Sequence, residues 1–329
     1  MTVLEIEDLT VGFRAGAGWN QVVSGLSMTV GRGETVALVG ESGSGKTVTS
    51  MAVMRLLPAN RARVTGQVRF DGRDLLTLRR RELDKVRGGP LSMVFQEPMT
   101  SLNPAFTVGE QIAEAVRRHR GLNRREARRA AVEAMDAVGI AHAGRRAGAY
   151  PHEFSGGMRQ RVMIAMAIGC RPRLLIADEP TTALDVTIQA QILDLLRELR
   201  SGNGMAMIFV THDLGVVAEI ADTVAVMYAG RIVERAPVAE LFARPRHPYT
   251  AGLLRSVPSG AKGGLYSIPG SPPRPGEFPP GCRFEPRCGF AEPGCAGALP
   301  VLETLGGSHA AACSRAAGLD LRPEGAAHV

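Results

Sequence analysis

The sequence predicts an α/β fold, in which short buried strands alternate with helices. Three apolar runs bounded by polar residues, Val36–Val39, Leu174–Ala177 and Met207–Val210, are typical of buried parallel strands. Helical patterns follow at Lys46–Leu57 and Ile188–Arg200. Strand–helix–strand alternation of this kind builds an α/β core, which we expect to be a mixed sheet with a helical subdomain.

Composition excludes several protein classes. Of the 329 residues, 45% are hydrophobic and 22% are charged, which is ordinary for a globular protein and excludes a disordered chain, a collagen and a coiled coil. The net charge is +7, but only three of the 39 basic residues are lysines. Because the arginines are spread in short runs, this charge is weak evidence for a nucleic-acid partner.

Membrane insertion is not expected from the sequence. The longest apolar stretches, such as Met205–Val210, are far shorter than the roughly 20 residues of a spanning helix. The N-terminus Met1–Leu9 alternates and is acidic, unlike a signal peptide. We therefore expect a cytoplasmic protein, or one held at a membrane only through a partner.

The composition changes along the chain and predicts its domains. Residues 258–281 hold seven prolines and six glycines, which indicates an extended, irregular segment. We expect a nucleotide-binding domain over 1–235, with a helical subdomain at about 97–170 that includes a helical stretch at 110–138. A connecting segment at 236–257 and a tail at 258–329 follow.

A glycine-rich loop follows the first buried strand. It fits the phosphate-loop pattern GxxxxGK[ST] at every fixed position and opens a helix, as that motif requires. Its residues are Gly40, Glu41, Ser42, Gly43, Ser44, Gly45, Lys46 and Thr47. Backbone N–H groups and the helix dipole would bind the β-phosphate, Lys46 would reach the β and γ phosphates, and Thr47 would ligate Mg²⁺. ATP or GTP binding follows.

A second nucleotide motif is the apolar strand that ends in two acids, Leu174–Pro180. Asp178 at its end would hold Mg²⁺ through water. Glu179 would polarise the water that attacks the γ-phosphate. Strand ends commonly carry acidic residues, so this motif alone is weak evidence for a nucleotide site. It becomes strong evidence because a phosphate loop lies upstream.

A third motif carries a family resemblance. Phe154–Arg161, with Ser155, Gly156 and Gly157 at a helix start, resembles the signature motif of ATP-binding-cassette (ABC) ATPases. The resemblance implies that this motif acts in trans, against the γ-phosphate held by a partner cassette. Met158 stands where the commoner family form has Gln, a departure that resembles the peptide-importer branch. The alternative is an ordinary N-capped helix, since serine is a good cap.

The resemblance implies roles for further residues that stand in family order. Gln96 matches the Q-loop glutamine that touches Mg²⁺ and the attacking water, and His212 matches the switch histidine that contacts the γ-phosphate. Asp185 closes Thr182–Asp185, which resembles the D-loop of the dimer interface. An aromatic should stack on adenine. Phe13 is the first choice and Trp19 the second, although either aromatic would also suit the core.

Longer stretches resemble one branch of the family, the oligopeptide/dipeptide importers. They are residues 96–104, 177–187 and 247–250. The resemblance implies an ATPase subunit on the cytoplasmic face of the cell membrane. Its partners would be a second cassette, identical or paralogous, two permease subunits and an extracytoplasmic binding protein. Peptide, nickel, glutathione and opine transporters share these motifs, so the solute stays open.

A rival interpretation is an ABC ATPase that works on nucleic acid or ribosomes, which the excess positive charge favours slightly. Translation-type members carry two cassettes on one chain, and repair-type members interrupt the cassette with long insertions. This chain has one uninterrupted cassette. We therefore expect no nucleic-acid partner.

Four of the five cysteines, Cys282, Cys288, Cys295 and Cys313, lie in the tail. Four thiolates suit Zn²⁺ or an iron–sulfur centre, and the spacing is wider than in a common zinc knuckle. The local sequence resembles the importer extension, where some members hold a [4Fe–4S] cluster, so we favour that cluster. His309 is a candidate replacement ligand in a zinc site, and four free thiols are the alternative. Cys170 stands apart, as a packed core residue would.

Overall fold

The structure, a computed structural model, describes residues 1–16, 18–96, 101–181, 185–257 and 266–322. Its strands are β1 (Thr2–Ala15), β2 (Gly18–Gly31), β3 (Thr35–Val39), β4 (Ala62–Phe70), β5 (Arg73–Asp74), β6 (Leu91–Val94), β7 (Leu174–Asp178), β8 (Ala206–Thr211), β9 (Thr223–Tyr228), β10 (Arg231–Pro237), β11 (Glu303–Gly306) and β12 (His309–Ala311). Its helices are α1 (Lys46–Val53), α2 (Arg80–Val86), α3 (Val108–Arg120), α4 (Arg124–Ala137), α5 (Ala143–Arg146), α6 (Gly156–Gly169), α7 (Val186–Asn203), α8 (Leu214–Ile220), α9 (Val238–Ala243), α10 (Pro248–Arg255) and α11 (Pro293–Gly297). None of the helices in these ranges is long and apolar enough to span a membrane.

The chain divides into two compact units. The first unit comprises Met1–Leu4, Val30–Glu34 and Phe70–Phe209. The second unit comprises Glu5–Thr29, Thr35–Arg69 and Val210–Val329. The phosphate loop and the cysteine tail belong to the second unit, whereas the signature motif and the acidic strand end belong to the first.

In the first unit, β6 and β7 run parallel with Leu91 opposite Leu174 and Val94 opposite Ala177. Every residue of both strands is buried, as their continuous apolar character predicts. Parallel strands end at the same edge of a sheet. The residues that follow Val94 and Ala177 are therefore brought to one edge.

The helical stretch predicted at 110–138 is two helices rather than one. Helix α3 ends at Gly121, whose left-handed φ of 66° closes the helix. Helix α4 then begins after Asn123, whose side chain accepts a hydrogen bond from the Glu126 N–H. The break between the two helices was not predicted, because the arginine-rich pattern continues on both sides of it.

The second unit contains a sheet in which β3 pairs with β9 in parallel and β9 pairs with β10 antiparallel. The tail contributes two more strands to this sheet, because β12 pairs with β10 and β11 with β12. Strands β2, β1 and β4 lie side by side in that order. The buried core beside β3 and β9 includes Tyr249 and Phe284, so residues from the C-terminal part of the chain pack into the core of the sheet that precedes the glycine-rich loop.

Helix α1 is shorter than the predicted Lys46–Leu57. It ends at Val53 with Met54 as its cap, several residues before Pro58. Arg55 has a left-handed φ of 48°, which a helix cannot contain. The backbone therefore leaves the helix before proline would have stopped it.

Candidate functional site

The phosphate loop joins β3 to α1, where the sequence motif requires it. Gly40 has a φ of 153°, and a Cβ at this position would lie 2.2 Å from the Met227 carbonyl oxygen. Only glycine fits there, because the backbone of β9 cannot move aside as a flexible side chain could. The first glycine of the motif therefore lets the loop pass close to β9.

Two side chains of the loop are arranged as an anion site would need. Lys46 is buried, and its Nζ donates to the carbonyl oxygens of Gly40 at 2.7 Å and Glu41 at 3.1 Å. The Ser44 Oγ is buried and has no hydrogen-bond partner among the described residues. Buried polar groups are normally satisfied, so this hydroxyl fits a phosphate oxygen as its missing partner.

The tip of the loop lies at the surface. Ser42 and Gly43 are exposed, and Thr47 is half-buried at the start of α1. Gly45 precedes that helix with a φ of 103°. The helix N-terminus therefore adds its partial positive charge next to Lys46.

Two residues that sequence reasoning missed contact this loop. The Tyr249 hydroxyl accepts a hydrogen bond from the Glu41 N–H at 2.8 Å. The Arg287 guanidinium forms an ion pair with the Glu41 carboxylate at 2.7 Å. Arg287 lies 246 residues from Glu41 in the sequence, so no local pattern points to this pair.

In the first unit, the ends of β6 and β7 bring two predicted residues together. The Gln96 Nε2 donates to the Glu179 Oε2 at 3.0 Å. Asp178 is 1% exposed at the end of β7. Glu179 follows it with a left-handed φ of 47°, a conformation that costs energy outside glycine and clusters at functional sites. The hydrogen bond places these two predicted residues side by side where β6 and β7 end.

The signature residues stand at the start of α6. Ser155 is the N-cap, and its hydroxyl accepts a hydrogen bond from the Met158 N–H at 3.4 Å. Gly156 is exposed, and a Cβ there would meet nothing within 4 Å. A Cβ at Gly157 would lie 3.0 Å from the Ile188 side chain. The capping interpretation of Ser155 therefore holds, and it is compatible with an anion at the same helix end.

Two further residues of the predicted ATP site lie on other elements. Asp185 is the N-cap of α7 and accepts from the Ile188 N–H at 2.9 Å. His212 is exposed directly after β8. The neighbouring motif residues Glu97–Thr100 and Thr182–Leu184 lie outside the described residues.

The two candidate adenine aromatics differ in exposure. Phe13 is half-buried on β1, and Trp19 is 46% exposed on β2. Such a large exposed fraction is unusual for a tryptophan that packs in the core, whereas the exposure of Phe13 suits either role. The choice between them stays a prediction.

The four tail cysteines line one small cavity of about 20 Å³ in the second unit. The Cys282 N–H donates to the Cys295 carbonyl at 2.8 Å, which ties two of them together through the backbone. A Cβ at Gly281 would lie 2.3 Å from the Cys295 carbonyl oxygen, so glycine is required for this approach. Burial raises the pKa values of Cys282, Cys288 and Cys313, and the neighbouring thiols raise them further.

All five cysteines are free thiols. Among the described residues, no group of three or more His, Cys, Asp or Glu side chains is arranged to hold a metal ion. His309, the candidate replacement ligand, instead lies 2.7 Å from the buried Glu234 carboxylate and does not line the cavity. The prediction for His309 is therefore wrong, because it fills the role of partner to a buried carboxylate. Cys170 is buried, and burial raises its pKa to about 11.

Comparison with known proteins assigns the family. Residues 23–182 match the family model described as ABC transporter, and residues 233–295 match that of the oligopeptide/dipeptide transporter C-terminal region. A peptide import ATP-binding protein of Brucella abortus (strain 2308) is 54% identical, over 95% of this chain and 97% of its own length. A second protein so named from the same strain is 50% identical, over 93% of this chain and 92% of its own.

Solved structures agree with this assignment. The dimeric post-hydrolysis state of an ATP-binding cassette bound to ADP and Pi is 27% identical, with a TM-score of 0.64, over 71% of this chain and 98% of that one. A component of an ABC transporter complex from Clostridium perfringens is 28% identical, with a TM-score of 0.62, over 74% and 91%. The cassette fold and ATPase class predicted from the motifs are confirmed: the chain belongs to the ABC transporter family of ATPases, in the branch that carries the oligopeptide/dipeptide C-terminal region.

Proposed function

We propose that this chain is the ATP-hydrolysing subunit of an importer that takes up peptides through separate permease subunits. The similarity to peptide import proteins over nearly the whole chain carries this proposal. The chain would act at the cytoplasmic face of the cell membrane as a pair of cassettes. Closure around ATP would move the permease subunits, and hydrolysis would reopen them. An extracytoplasmic binding protein would deliver the solute.

The chemistry follows from the residues in place. Lys46 and the α1 N-terminus neutralise the charge of the phosphates, and the Ser44 hydroxyl supplies one more donor. Thr47, Asp178 and Gln96 offer the hydroxyl and carbonyl or carboxylate oxygens that Mg²⁺ prefers. When bound, Mg²⁺ would add further charge neutralisation on the phosphates. Glu179 accepts the proton of the attacking water, and Gln96 orients its carboxylate.

The experiment is peptide uptake in cells that depend on this subunit. Lys46→Ala should abolish uptake of a labelled dipeptide. Lys85→Ala is a matched control, because Lys85 is an exposed lysine of α2. Uptake that survives in Lys46→Ala would overturn the proposal. Recovery of the tagged protein with RNA or DNA rather than with permease subunits would favour the rival function.

A second experiment tests the signature motif in trans. Gly156→Asp places a side chain at an exposed position where a Cβ meets nothing within 4 Å, so loss of ATPase would report on the nucleotide of a partner cassette. Mixing this variant with Lys46→Ala leaves at most one intact composite site per heterodimer. We expect partial recovery of ATPase in the mixture. Unimpaired activity of Gly156→Asp alone would contradict the trans role.

We further propose that the tail binds a metal centre, and we favour [4Fe–4S]. The convergence of Cys282, Cys288, Cys295 and Cys313 on one cavity supports this. Four thiolates suit either centre, and no group of ligands is already arranged for a metal ion among the described residues, so binding of either would require the thiols to move. The cavity is small, so the thiols would move outward around a larger cluster.

Anaerobic purification tests the metal proposal. The protein should be brown and contain iron and sulfide, and Cys288→Ser should bleach it. Zinc without iron would overturn the cluster while keeping the site. Metal-free protein with four freely alkylated tail thiols would overturn both.

A further inference from the structure

The phosphate loop has a second support that the ATP motifs do not include. Glu41, its second residue, is held from two directions by the C-terminal part of the chain. The Arg287 Nη1 lies 2.7 Å from one oxygen of the Glu41 carboxylate, and Nη2 lies 3.0 Å from the other. This is the bidentate pairing that makes arginine–carboxylate contacts strong and directional. The Tyr249 hydroxyl meanwhile accepts the Glu41 N–H at 2.8 Å.

Arg287 is fixed before it reaches the loop. Its side chain is only 5% exposed. Its Nε donates to the Pro269 carbonyl at 2.8 Å, and the remaining N–H groups reach the Tyr228 hydroxyl and the Ile268 carbonyl at 3.3 and 3.4 Å. With the two bonds to Glu41, all five guanidinium donors are used. Such an arginine acts as a rigid clamp rather than a mobile surface charge.

The clamp rests on an aromatic base. Tyr228, Tyr249 and Phe284 pack together with ring centroids 4.6 to 5.4 Å apart. All three rings are buried. Phe284 precedes the 3₁₀ turn Glu285–Arg287, so this packing sets the position of the guanidinium. The same turn leads directly into Cys288.

The contact with Arg287 matters because Glu41 carries a negative charge within the phosphate loop. A free carboxylate on the second residue of a phosphate loop would repel the triphosphate. Arg287 neutralises that carboxylate and holds it to one side, while Tyr249 fixes the backbone at the same residue. We propose that Arg287 is a positioning residue for ATP: it holds Glu41 so that the phosphate loop is preformed and the Glu41 carboxylate is neutralised when the nucleotide arrives.

This inference rests on the proposed role of the loop in binding ATP, and the experiment separates the two. ATP affinity is measured by equilibrium titration of the full chain carrying Glu179→Gln, which slows turnover by about 10²–10⁴-fold. Arg287→Ala should weaken ATP binding about tenfold, the scale of a charge-assisted hydrogen-bond pair. Arg287→Lys should recover part of this loss. Lys46→Ala in the same titration shows whether the loop binds nucleotide at all.

A second variant separates positioning from simple packing. Glu41→Gln combined with Arg287→Ala removes the unpaired carboxylate and should regain most of the affinity lost in Arg287→Ala. A packing role would predict no recovery, because the cavity left by the arginine remains. Arg315→Ala is the control, since Arg315 pairs with Glu292 in the same tail at 2.9 Å. It should leave ATP affinity unchanged.

Two results would overturn the inference. One is Arg287→Ala with wild-type ATP affinity in a titration where Lys46→Ala fails to bind. The other is a double variant no better than Arg287→Ala, with circular dichroism showing both folded. A Lys46→Ala chain that binds ATP normally would instead overturn the loop assignment itself.

Discussion

The phosphate loop and the cysteine tail are built in opposite ways. The loop is contiguous over Gly40–Thr47, and its shape follows from glycines that let it pass close to β9. The tail spreads its four cysteines over Cys282–Cys313, and strand pairing with β10 and packing of Phe284 bring them together. A contiguous site is encoded by local backbone rules. A dispersed site depends on tertiary contacts, and Arg287 is where the two regions meet.

The largest effect is expected from breaking the loop alone. Lys46→Ala removes the buried ammonium that faces the phosphates, and ATP binding and hydrolysis should both be lost. The tail should be unaffected, because the hydrogen bonds from the Lys46 Nζ to the Gly40 and Glu41 carbonyl oxygens lie within the loop. ATPase and tail thiol reactivity measured on one preparation check both halves. Normal ATPase in the purified variant would contradict the loop assignment.

The next effect isolates chemistry from binding. Glu179→Gln keeps the shape of the side chain and the contact with Gln96 but removes the base. Turnover should fall by about 10²–10⁴-fold, the usual cost of losing a general base. ATP should still bind, and a dimer locked by ATP should accumulate in gel filtration. Wild-type turnover in a monomer would move the catalytic role elsewhere, with His212 as the next candidate.

A substitution in the cysteine tail should have a smaller effect, on ATP binding at the phosphate loop. Cys288→Ser alters the residue next to Arg287, and the 3₁₀ turn links the two. We expect the KM for ATP to rise severalfold, well below the loss in Lys46→Ala, with kcat little changed. Arg315→Ala is again the control. If both variants keep the wild-type KM, the tail and the loop are independent.

The limits of sequence reasoning follow the same division. Glu179 was predicted from the acidic end of its strand and Gln96 from the family resemblance, and the parallel pairing of β6 and β7 brings them together although they lie 83 residues apart. The clamp on Glu41 was not predictable, because Arg287 belongs to none of the ATP motifs and lies 246 residues away. The candidate role of His309 as a zinc ligand failed for the same reason, because no motif links it to its partner, the buried Glu234 carboxylate.

The smallest effect at neutral pH concerns His247, which begins the C-terminal region beside Tyr249. Its ring is 1% exposed, and its Nδ1 accepts the Tyr249 N–H at 3.1 Å. Burial lowers its pKa from 6.5 to about 4, although the nearby Glu234 carboxylate opposes this.

The sign follows from the two states of His247. The unfolded chain takes up the proton near pH 6.5, whereas the folded chain resists it until about pH 4. Stability is therefore complete above pH 6.5 and falls as the pH drops towards 4, by at most about 3 kcal/mol from this residue. His247→Asn keeps a capping acceptor for α10 but does not titrate, so its unfolding free energy should fall less between pH 7 and pH 4.5. Urea unfolding of both proteins at these pH values checks this. Identical losses of stability would show that the buried ring next to Tyr249 does not carry the pH dependence.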